Sequence, residues 1–160
     1  MTASPYYESD PTARVEVAFR RIHTQRMADM PMLNPHVGVA AVGFARVGDA
    51  GEDWRGALVT PWGINLLLLP ATGDWPVPGP HERVFRQYPA GAFAFLGNHE
   101  DDLGDYLACP LIHDMQQFAD HDTAVMTARA CLIALDMAPD VQPADPDAPA
   151  RPNRRRFFTG

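Results

Sequence analysis

Six histidines and two cysteines have the widest chemical reach in this chain, and their spacing sets what they can do. Cys109 and His113 lie four residues apart. On a helix they would form a thiolate–imidazole pair of the kind that carries nucleophilic catalysis. Pro110 stands between them and opposes a helix. The plainer reading makes Cys109 a small, half-buried apolar residue near a partner surface. His99-Glu100-Asp101-Asp102 could offer nitrogen and oxygen ligands to a divalent ion, and His113 and His121 with Asp114 and Asp122 form a second such set. Neither spacing is diagnostic of a metal, and an acidic surface loop explains the first set as well.

The familiar catalytic signatures are missing. The sequence contains no CxxC, GxSxG, P-loop, GxGxxG or HExxH. The residues therefore offer no recognised catalytic or cofactor-binding set, and no cofactor is expected. A formal charge of −7 argues against nonspecific binding to nucleic acid or to anionic membrane. That charge is uneven. Residues 1–150 hold 9 Arg and 20 acids, a charge of −11, whereas residues 151–160 hold four Arg and no acid. The N-terminus shows no apolar core of a signal peptide, and the longest apolar run, Leu66–Leu69, is far too short to span a bilayer. The expectation is a cytoplasmic protein without membrane insertion.

The elements that must position these residues follow from periodicity. Residues 1–9 read as a flexible arm. Asp10-Pro11 is a helix start, and Val15, Ala18, Phe19 and Ile22 recur at helical spacing up to a stop before Pro31. Strands are expected over residues 37–47, 54–60, 64–69, 83–88, 92–96 and 106–112, with a polar loop over 99–105. A second helix should open at Asp120 or Asp122, with Val125, Ala128, Leu132 and Leu135 on one face. The fold class is thus α+β. An antiparallel β-meander sheet is packed by an N-terminal and a C-terminal helix in one domain over 10–138. Residues 139–160 form a Pro/Ala-rich tail, expected to be disordered, that ends in an Arg-Phe cluster.

Trp54–Pro70 reads as two strands joined at Thr60-Pro61-Trp62-Gly63. Trp62 would sit at the exposed end of this apolar hairpin, where a large aromatic makes contacts. Trp62 and Trp75, flanked by Pro and Gly, are expected to be harder to bury than Phe93 or Phe95, and so to serve recognition.

In order and spacing, several blocks together resemble the HybE-type [NiFe]-hydrogenase assembly chaperones. They are Trp54-x-Gly56-x-Leu58-Val59-Thr60-Pro61-Trp62 followed by Asn65-Leu66 and Pro70, then Trp75. Tyr88-Pro89-Ala90-Gly91 with Phe93-x-Phe95 follows, then Gly104-x-Tyr106-Leu107-x-Cys109-x-Leu111. Arg155-Arg156-Phe157 close the series before Gly160. The resemblance implies a non-enzymatic chaperone that binds hydrogenase subunit precursors during maturation before twin-arginine export. The small-subunit precursor would be the chief client and the large subunit a further one. It implies partner contacts at Thr60, Pro61, Trp62, Asn65, Trp75, Tyr106, Cys109, Arg155, Arg156 and Phe157. The chain departs from the family after Cys109, where Pro110-Leu111-Ile112-His113 replaces a Ser-rich stretch.

Two other classes stay open on sequence. One is a metal or redox carrier in hydrogenase maturation, using Cys109 with His113 or His99. The other is a small-molecule-binding or catalytic α+β domain with a pocket lined by Trp62, Trp75 and Phe93. The tail suggests a third feature. Arg154-Arg155-Arg156-Phe157-Phe158 is close to the heart of a twin-arginine signal, so it could fold back onto an acidic, aromatic groove of its own domain.

Overall fold

The computed structural model describes residues 6–75, 78–79 and 82–138. Six strands form one antiparallel sheet: β1 (Ala40–Val47), β2 (Asp53–Thr60), β3 (Gly63–Pro70), β4 (Arg83–Tyr88), β5 (Gly91–Glu100) and β6 (Gly104–Ile112). Their order is β1-β2-β3-β6-β5-β4. Two three-stranded meanders therefore meet where β3 pairs with β6. Leu66 to Leu69 lie in β3 and are all buried, because this strand is interior to the sheet and covered on both sides.

Helix α1 (Thr12–Ile22) buries Val15, Ala18 and Phe19 on one face of the sheet. Asp10 anchors its start, its Oδ1 accepting from the Thr12 backbone N–H at 2.8 Å and from the Thr12 hydroxyl. The helix thus begins one residue later than an N1 proline would give. It then widens into a π-helical turn over His23–Met27, and helix ends before Pro31 as expected. Helix α2 (His121–Leu135) covers the opposite face with Ala124, Ala128, Leu132 and Leu135. Asp120 caps it, accepting from Thr123 N–H at 2.8 Å. Ala124, not Val125, leads its buried face.

Gly43 lets α2 seat closely. β1 pairs irregularly with β2 between Val42 and Ala45, and Gly43 there has φ 69°. A Cβ at that position would lie 2.6 Å from Leu132 Cδ1.

The two faces are covered unequally. On the α2 face, Pro78 lies so close to Gly97 of the second meander that a Cβ there would sit 2.7 Å from the proline ring. Met115 and Phe118 complete that cover. On the α1 face, the helix and Tyr7 cover the first meander and part of β6. Tyr7, expected in a loose arm, is tied down: its N–H donates to the Pro70 carbonyl at 2.8 Å, and its carbonyl accepts from the Trp54 indole at 2.8 Å.

Candidate partner-binding face

The turn between β2 and β3 is rigid. Thr60 is buried, and its hydroxyl donates to the Gly63 carbonyl at 2.9 Å while accepting from Trp62 N–H at 3.3 Å. The Pro61 carbonyl accepts from Asn34 N–H at 3.0 Å. Asn34 in turn donates through Nδ2 to the Met115 and Phe118 carbonyls, both at 2.8 Å. Trp62 is therefore held at a fixed place. Its ring is half-buried, not at a free tip, and lies against His23 with centroids 5.7 Å apart. Phe19, one turn before His23 on the same helix, meets Tyr106 edge-on at 6.0 Å.

Beside this wall the sheet lies open. Strand register aligns Arg83, Leu96, Ala108 and Leu67 in one cross-strand row. Leu67 is under α1, but Ala108 is only half-buried, Leu96 is 36% exposed and Phe85 in β4 is 64% exposed. Phe85 pairs with Ala94, and Asn65 pairs with the exposed Pro110. A strip of apolar sheet thus runs from β4 towards the His23–Trp62 wall with no helix over it among the described residues.

The structure sorts the site residues expected from sequence. Trp62 and Asn65 border this strip. Tyr106 is on the same face but buried beneath α1, and burial pushes its hydroxyl pKa well up. Trp75 and Cys109 lie on the opposite face, in the core under α2. Trp75 is not an exposed recognition group. Its indole donates to the buried Asp53 at 2.6 Å, a partner that sequence could not supply, and this bond lets a Trp amid prolines be buried. Cys109 pairs with Leu66 in the sheet, and burial pushes its thiol pKa up, the reverse of a reactive thiolate. The pocket imagined between Trp62, Trp75 and Phe93 is not formed, since the two tryptophans belong to opposite faces. Arg155, Arg156 and Phe157 lie outside the described residues.

The expected loop over 99–105 is instead a tight β5–β6 hairpin, with His99 paired to Asp105 across it. Asp105 accepts at 2.8 Å and raises the His99 pKa. The neighbouring acids meet arginines of the first helix: Arg21–Asp102 and Arg26–Glu100, both at 2.8 Å. Among the described residues no group of three or more His, Cys, Asp or Glu is placed to hold a metal.

Sequence reasoning missed a polar cleft of about 430 Å³ at the other end of the sheet. Asp53 accepts from Arg86 Nε at 2.8 Å, and Arg55 reaches Asp136 at the end of α2. The Arg55 guanidinium stacks over the Tyr88 ring at 4.8 Å. Burial first, and then Asp53, push the Tyr88 hydroxyl up to about 12. Charged residues inside strands, Asp53 and Arg55 in β2 and Arg86 in β4, were the available signal.

The chain as a whole is similar to known proteins. A family model described as "[NiFe]-hydrogenase assembly, chaperone, HybE" matches residues 10–160. The probable rubredoxin HupJ of Rhodobacter capsulatus is 37% identical over 139 residues, 85% of this chain and 48% of that protein. The chain thus spans about half the length of that relative. Protein HoxT of Cupriavidus necator is 33% identical over 164 residues, 96% of this chain and 90% of that one. The solution structure of HybE from Escherichia coli has a TM-score of 0.68 at 24% identity, covers 97% of both chains and shows the same fold.

Proposed function

The chain belongs to the HybE family of [NiFe]-hydrogenase assembly chaperones, and on that premise we propose that it holds hydrogenase subunit precursors in the cytoplasm, chiefly the small subunit before twin-arginine export. The strip of uncovered sheet beside Trp62 carries this reading. A precursor that has not met its partner subunit presents apolar surface, and an apolar strip with a fixed aromatic wall is complementary to it. Holding such a precursor requires binding and no bond chemistry, which suits a site built from Phe85, Leu96, Ala108 and Trp62 and no nucleophile.

The test is co-purification of a tagged small-subunit precursor with the parent chain and with Phe85→Glu/Leu96→Glu. Capture by the parent and its loss in a variant that still melts cooperatively supports the proposal. Capture unaffected by the two charges would move the client elsewhere, and no capture by the parent would remove the small subunit as client.

A further inference from the structure

We propose that the cleft between the β1–β2 turn, the β4–β5 turn and the end of α2 is the seat of the chain's own arginine run, Arg154-Arg155-Arg156. Four acids line the cleft: Asp49, Glu52, Asp53 and Asp136. Two arginines answer two of them, Arg86 pairing with Asp53 and Arg55 with Asp136. Asp49 and Glu52 form no ion pair among the described residues, although Glu52 adds to the field at Arg86, so the cleft keeps a surplus of two negative charges. Residues 151–160 carry four arginines and no acid, the one strongly cationic stretch of a chain whose remaining charge is −11. Arg55 is 94% buried in the cleft wall, and its Nε–H finds no acceptor among the described residues. A peptide satisfies both needs, its guanidinium groups meeting Asp49 and Glu52 and a backbone carbonyl accepting from Arg55 after a small shift.

Position favours this segment over any other chain. Asp136 lines the cleft and is followed directly by Met137, Ala138 and the 15 residues that lead to Arg154. At roughly 3 Å per residue such a span reaches some tens of ångströms, far more than a cleft at its own root requires. Tethering places the arginines there at an effective concentration on the order of millimolar, so individually weak, exposed ion pairs suffice to fill the seat.

The experiment compares ¹H–¹⁵N spectra of the full chain with those of the full chain bearing Arg154→Ala/Arg155→Ala/Arg156→Ala. The seat predicts amide shifts confined to Gly48, Asp49, Glu52 and Gln87. Raising salt to about 1 M, where screening acts within about 3 Å, should produce the same shifts in the parent and none in the variant. In the reverse direction, Asp49→Asn/Glu52→Gln should move the amides of Phe157 and Phe158. Silent cleft amides, or shifts centred on Phe85 and Leu96, would overturn the proposal. Shifts that grow with protein concentration would place a second copy in the cleft and overturn it too. No hydrogenase client is involved, so its failure leaves the assembly role untouched.

Discussion

Asp136 closes helix α2 by gripping Arg55 with both carboxylate oxygens, at 2.9 and 2.7 Å. The pair is lopsided, the arginine side chain being 7% exposed and the aspartate 57%. The arginine therefore depends on the aspartate more than the reverse. Asp136→Asn leaves a desolvated guanidinium with a weaker acceptor and is expected to destabilise the fold by roughly 1–3 kcal/mol. Arg55 holds the Asp136 carboxyl below its usual range. A depressed carboxyl contributes stability above its unfolded value of about 3.9, and that contribution is lost as pH falls through the lower folded value. Thermal melts of parent and variant should therefore differ most at pH 7, begin to approach one another as pH falls below about 4, and converge only below the depressed folded value.

Trp62 and Phe85 should separate stability from binding. Trp62→Ala removes half-buried contacts with His23, an expected loss of about 1–2 kcal/mol, or a few degrees in the melt. Phe85→Glu changes a side chain that touches little and should stay within about 0.5 kcal/mol of the parent. Both should weaken capture of a hydrogenase precursor tenfold or more, the size of a hot-spot truncation. Equal melting losses in the two variants would show that Phe85 is packed in solution.

Cys109 should behave as a core residue. Its thiol pKa is raised by burial, so the thiolate fraction at neutral pH is below that of a free cysteine. Alkylation of a variant keeping Cys109 as its sole cysteine should be slow and should accelerate with denaturant. Labelling faster than a free thiol in the native state would restore the redox reading.

Gly43→Ala tests how α2 is seated. The substitution meets both an unfavourable φ and Leu132 at 2.6 Å. An expected cost above about 1 kcal/mol combines backbone strain with overpacking. Pairing it with Leu132→Ala should recover part of that loss, which chemical denaturation of the single and double variants measures.

Sequence pattern reached what is local. The strand over residues 64–69, a helix start at Asp120 or Asp122 and the 3,4-spacing of both helices are all legible, and the structure places the α2 cap at Asp120. What it could not reach depends on register. Trp75 was expected at the surface because its flanking prolines are visible and Asp53, 22 residues away, is not. Glu100 and Asp102 read as loop acids because their arginines sit 74 and 81 residues earlier. Two meanders joined through β3 and β6 cannot be told from one continuous meander by strand patterns alone. The open strip was invisible for the same reason: Phe85 and Leu96 look like ordinary strand residues until the helices are known to cover the other half.

That unequal cover has a consequence in time. Sheet amides exchange with solvent water through local openings, and an opening is easier where fewer apolar contacts must break. β2 and β3 lie under both helices' clusters, whereas β4 ends the sheet with Phe85 facing outward. The β4–β5 hairpin should therefore breathe on its own while the first meander stays shut, so the half of the sheet proposed to meet a client is also the half most readily reshaped.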